Sequence, residues 1–137
     1  MFRPMMILAA SAALAGCAQT PAQTARAAAA AAADQAELGR QLKGLAPVGE
    51  RSCLPTLPST MQVEAYGPTL LYTAGPGQKY RSDTTGGCES IARGDILVTV
   101  SNSGSTCRGD ISRTVDRTGR FPTGSCSLGS FVEYRKP

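Results

Sequence analysis

Four cysteines, Cys53, Cys88, Cys107 and Cys126, lie after residue 50 of this 137-residue chain. An even number of widely spaced thiols in one small domain is the pattern of structural disulfides. No pair has the CxxC spacing of a thioredoxin-type redox site or a zinc ribbon. Four cysteines allow three pairings, and the spacing does not choose among them. The other side chains able to do chemistry are the carboxylates of Asp95, Asp110 and Asp116. Each stands at a turn or strand edge, where Asp is common for backbone reasons. Ser103, within Ser-Gly-Ser, lacks a base, because the chain has no histidine. That absence removes the usual general base, the usual zinc ligand and the partner of a Ser or Cys nucleophile. No EF-hand-like spacing exists either. The sequence therefore predicts no enzyme, no metal site and no cofactor.

The fifth cysteine, Cys17, has a different setting. Arg3 is followed by an apolar run from Met5 to Ala15, broken only by Ser11. Such a run is too short for a bilayer span and suits the core of a signal peptide. It ends in Leu14-Ala15-Gly16-Cys17, which resembles the lipobox of bacterial lipoproteins. The resemblance implies a signal peptide over 1–16, cleavage before Cys17, diacylglycerol on its thiol and acylation of the new amine. Several acyl chains anchor a protein where one binds only marginally. The implied partner is thus a membrane, reached through the lipid anchor. Ala18 in place of Asp implies, by the sorting rule of enteric bacteria, the periplasmic face of the outer membrane.

The formal charge of the chain is +4. From Val48 onward ten Lys and Arg face eight Asp and Glu, a surplus of two. With aromatics few and Trp absent, the basic stripe and stacking platform of a nucleic-acid binder are missing.

Residues 17–47 read as the lipidated cysteine and an alanine-rich helical linker. Alanine is the best intrinsic helix former, and Ala27 to Ala33 is an unbroken run. Thr24 as cap and Gly44 and Pro47 as stops predict a helix over about 25–43, roughly 28 Å long. Leu38, Leu42 and Leu45 follow helical spacing and are placed to dock on the domain. A spacer is favoured over an oligomerisation helix, since no heptad of large residues is present.

Residues 48–137 read as an all-β domain, a small antiparallel sandwich or barrel bridged by disulfides. Period-two runs and turn residues predict strands over Met61 to Tyr66, Thr69 to Thr73, Gln78 to Arg81, Asp95 to Ser101, Ile111 to Asp116 and Phe131 to Arg135. Ile96, Val98 and Val100 share one face of the strongest of these. No helical period appears after Gly44. Pro55-Thr56-Leu57-Pro58 fits PxxP and reads as a turn. The run from Arg93 to Val100 matches that from Arg108 to Val115 at six of eight positions. Two Gly-Asp turns, each placed before a β-branched strand, would produce this echo. Its repeated Arg-Gly-Asp also resembles an integrin-binding tripeptide, on three residues only.

The order Cys53-Leu54, Leu70-Leu71-Tyr72, Tyr80-Arg81, Cys88, Thr106-Cys107-Arg108-Gly109-Asp110-Ile111 and Cys126-Ser127-Leu128-Gly129 resembles a family of small proteobacterial envelope proteins. The domain of that family has no assigned function, so the resemblance implies location and fold and no activity. Two functions are compatible with the whole sequence. The first is a non-catalytic binding or structural module held by lipid, with an envelope protein or cell-wall component as partner. The second is an inhibitor of a cell-wall hydrolase such as lysozyme. It would act through a binding loop carrying Lys79, Tyr80 and Arg81, because periplasmic lysozyme inhibitors are likewise small, lipidated, cysteine-bridged β-barrels.

Overall fold

The computed structural model describes residues 19–56 and 61–137. The lipobox with Cys17 and the Leu57-Pro58 half of the PxxP segment lie outside the described residues. Within them the chain is mostly β: one helix, two antiparallel sheets and two disulfides. No described helix is long and apolar enough to cross a membrane.

Helix α1 spans Pro21–Gln41, starting and ending earlier than its composition predicts. Thr20, not Thr24, caps it. The Thr20 hydroxyl accepts from the Gln23 amide at 3.2 Å, and the Gln23 side chain accepts from the Thr20 amide at 2.9 Å. This reciprocal box, with proline at the first helical position, outcompetes the later threonine. The helix runs through Gly39, and of the three leucines expected to dock, Leu38 and Leu42 join a packed cluster and Leu45 does not. Leu38 is 3% exposed against Tyr66 and Leu71, with Leu42 packed beside it.

The expected boundary at residue 48 falls inside a strand. β1 (Ala46–Arg51) already pairs with the C-terminal β8 (Phe131–Arg135). Between them in sequence come β2 (Gln62–Tyr66), β3 (Thr69–Gly75), β4 (Gln78–Asp83), β5 (Ile96–Val100), β6 (Ile111–Val115) and β7 (Pro122–Ser127). The larger sheet has the order β1-β8-β4-β3-β2 and the smaller one β5-β6-β7. A 3-10 helix over Glu89–Arg93 leads into β5, a short helical element that apolar periodicity does not signal.

The larger sheet is covered on both faces. Leu71 faces the helix, while Leu70 and Tyr72 face the main core. That core draws Leu70, Tyr72, Tyr80 and Phe131 from the larger sheet, and Leu97 and Cys126 from the smaller. The rings of Tyr72 and Phe131 meet edge to face, 5.7 Å between centroids, the arrangement aromatic quadrupoles favour. Both copies of the sequence echo are strand starts. Gly94 (φ 97°) and Gly109 (φ 88°) take the left-handed turn that precedes β5 and β6, a conformation that favours glycine.

The smaller sheet is built inside out. Ser112 and Thr114 face inward and are fully buried. Ile96, Val98, Val100 and Ile111 face outward, between 45% and 60% exposed. The period-two pattern of β5 is real, but its apolar phase points to solvent.

Candidate functional site

The four cysteines pair as Cys53–Cys107 and Cys88–Cys126. The second bridge is buried, at 2% and 3% exposure, and links the turn after β4 to β7. The first is half-buried and joins two irregular segments, 52–56 and 104–108. Beside it the Leu54 amide donates to the Thr106 carbonyl at 2.8 Å, and the Arg108 amide to that of Ser52.

These stapled segments form one wall of a cleft of about 290 Å³. Leu54, Met61, Val63 and Tyr72 give it an apolar floor, and Thr56, Ser105 and Thr106 a polar rim. The Thr56 and Ser105 hydroxyls face one another at 3.4 Å. Strand β3 supplies Tyr72, whose residue is 4% exposed. Its hydroxyl has no hydrogen-bond partner among the described residues. A buried hydroxyl left without a partner costs about 1–3 kcal/mol, so a group that accepts from it is stabilising. Burial also pushes the phenol's pKa well above its ordinary value, so the group is a neutral hydrogen-bond donor at neutral pH. Sequence reasoning found the strand and missed the site. A lone tyrosine in an apolar run does not announce an unpartnered hydroxyl.

Two further clefts flank the helix. They are lined by Asp34, Glu37, Glu64, Tyr66 and Glu89 among others. Three of these acids have partners close by: Glu37 pairs with Arg40, Glu64 accepts from the Tyr66 hydroxyl, and Glu89 accepts from the Gly87 amide. No group of three acidic, Cys or His side chains among the described residues is arranged to hold a metal.

Lys79, Tyr80 and Arg81 lie in β4, in the interior of the larger sheet, and not in a projecting loop. Period-two geometry sends Tyr80 into the core at 1% exposure. Lys79 and Arg81 point to the opposite face. There Lys79 donates to Gln41 at 3.0 Å and Arg81 forks onto Asp83 at 2.9 Å. Gln78-Lys79 follows a tight Gly75–Gln78 turn, so a turn signal was present; the strand simply continues to Asp83.

The three carboxylates are not brought together. Asp95 accepts from the Thr123 hydroxyl at 2.5 Å, which holds its carboxyl below the usual range. Asp110 accepts from the Cys107 amide and Asp116 from the Thr118 amide. Asp110 and Asp116 bracket β6 and stand some 17 Å or more apart along an extended strand. Ser103 bonds to Ser101 and to the Ser105 carbonyl. Near the outer edge of the core, Glu133 receives Arg51 at 2.8 Å and Gln78 at 2.8 Å, with Arg135 beside it.

No family model, no curated protein and no solved structure matches the chain.

Proposed function

We propose that the chain is a lipid-anchored protein of a bacterial envelope, whose disulfide-bridged β sandwich binds a small ligand without transforming it. The observation that carries the binding reading is the cleft over Leu54, Met61, Val63 and Tyr72, with a Tyr72 hydroxyl that is buried and has no hydrogen-bond partner among the described residues. The ligand that completes this site is a neutral, mainly apolar molecule with one hydrogen-bond acceptor. The non-catalytic reading is supported by Asp95, Asp110 and Asp116, each committed to a turn or hydroxyl and none facing another.

Location is supported by the lipobox residues Leu14 to Cys17 and by two disulfides, which persist in oxidising compartments. Ala18 favours the outer membrane. The hydrolase-inhibitor alternative is not favoured by the geometry, because its intended loop is an interior strand.

Methyl octanoate, an apolar chain ending in an ester acceptor, is a suitable first probe. Titration followed by calorimetry is expected to show one saturable site. Tyr72→Phe should weaken binding about three- to tenfold, the worth of one neutral hydrogen bond. Binding unaffected by Tyr72→Phe, or no binding by this or related acceptor-bearing chains, contradicts the cleft assignment.

A further inference from the structure

Exposed large aliphatic and aromatic side chains are not scattered over this protein. Of the six such residues described, Ile96, Val98, Val100, Ile111 and Phe121 belong to the smaller sheet or its hairpin, and only Val48 lies elsewhere. Cross-strand pairing sets four of them in one plane. Ile96 stands opposite Val115, Val98 opposite Arg113, and Val100 opposite Ile111. Partners directly opposite in an antiparallel pair share a face. The outer surface of β5 and β6 is therefore an aliphatic sheet face with the Arg113 guanidinium at its centre.

The charges around this face are mixed, with cations in surplus. Residues 91–130 carry five arginines and three aspartates. Arg93, Arg108, Arg113, Arg117 and Arg120 are all exposed, and none forms an ion pair among the described residues. Asp95, Asp110 and Asp116 are half-buried and already accept from Thr123, Cys107 and Thr118. Arg117 donates to the Gly94 carbonyl at 3.1 Å, which brings its guanidinium to the start of β5.

The geometry points to this face as a docking surface for an anionic lipid bilayer. The aliphatic side chains would enter the interfacial layer and the arginines would meet lipid phosphates. Guanidinium groups match phosphate geometry, and apolar burial adds to attraction between cationic side chains and anionic lipids. The clefts described above are lined by residues other than those of this face. A second copy fits less well. A symmetric face-to-face pair repeats the same patch on both partners and would bring two Arg113 side chains, in no ion pair among the described residues, toward one apolar contact.

This inference shares with the proposed function only a location at a membrane. Its test uses residues 17–137 carrying Cys17→Ser, a chain with no acyl anchor. All described elements lie between Thr20 and Arg135, so this chain keeps every one of them. Failure at Cys17 and failure of this face then read out separately. Co-sedimentation with vesicles of phosphatidylglycerol and phosphatidylethanolamine is compared with vesicles of phosphatidylcholine alone. The expected result is binding to the anionic vesicles that weakens with added salt. Arg113→Gln should reduce it about fivefold, roughly the contribution of one basic residue near a membrane surface, while Arg113→Lys retains most of it. Val98→Ser should also weaken binding, and neither position enters the core. Equal binding to both vesicle types, or no response to Arg113→Gln and Val98→Ser, overturns the proposal. So does sedimentation equilibrium showing a dimer that Val98→Ser dissociates.

Discussion

The hydroxyls of Thr99 and Ser112 lie 2.8 Å apart across the β5–β6 pair, on the side that faces the protein interior. Ser112 is fully buried, so this pair satisfies groups that water cannot reach. Removing one partner strands the other, which costs more than removing both. Thr99→Val and Ser112→Ala are each expected to destabilise by about 1–2 kcal/mol. The double variant should cost clearly less than their sum. Urea unfolding of the four proteins provides the cycle, and strict additivity would show that the hydroxyls do not interact.

Glu133 links the acid response of the fold to one cluster. Burial pushes its carboxyl up, but hydrogen bonds from Arg135 and Gln78 and the charges of Arg135 and Arg51 outweigh it. The net pKa lies below the usual carboxylate range. A depressed folded-state pKa gives stability that is present above the unfolded value, about 4.3 for Glu. That stability is lost as pH falls through the lower folded value. The wild type should therefore lose stability progressively below about pH 5. Glu133→Gln should be less stable at pH 7 by about 1–3 kcal/mol and should show a shallower acid dependence. Parallel pH profiles of the two proteins would remove Glu133 from this role.

The two disulfides differ in access. Cys88 and Cys126 are buried, while Cys53 and Cys107 are half-buried at the cleft wall. Mild reductant under native conditions should open Cys53–Cys107 first, seen by alkylation and peptide mapping. Loss of either bridge should cost about 2–5 kcal/mol. Loss of Cys53–Cys107 should in addition weaken ligand binding at the cleft, because it releases the 52–56 and 104–108 segments from one another.

Strand β7 packs its backbone against the segment after β4 without room for a side chain. A Cβ on Gly124 would lie 2.0 Å from the Gly87 carbonyl oxygen and 3.0 Å from the Thr114 hydroxyl. Gly124→Ala is expected to destabilise by about 1–3 kcal/mol, the range for overpacking a close contact. Gly39→Ala, in open space on the helix, should instead stabilise by up to about 1 kcal/mol. Thermal melts of the two variants should move in opposite directions.

Six strands were legible because their side chains alternate and turn residues bound them. Two were not. Ala46-Pro47-Val48-Gly49-Glu50-Arg51 has one half-buried residue and five exposed ones, so its only instruction to be a strand is the distant β8 beside it. Pro122-Thr123-Gly124-Ser125-Cys126-Ser127 carries no large apolar residue, since the close approach of Gly87 excludes one. Gln78 to Arg81 was legible as a strand, whereas its reading as a binding loop fails because β4 lies inside the larger sheet. The Ile96, Val98 and Val100 alternation showed a strand but not its outward phase, which the two-sheet packing decides. The cleft was invisible for the same reason. Tyr72 reads as core, and only the placement of residues 52–56 against 104–108 forms the cleft that it lines.

The most direct test of a lipid-anchored, doubly bridged domain is the intact mass of the protein purified from its own membrane. It is to be measured before and after reduction and thiol alkylation. The expected result is a chain beginning at Cys17 with diacylglycerol and an N-acyl group, and four cysteines that label only after reduction. An unacylated mass, a retained 1–16 segment, or thiols that label without reduction would contradict it.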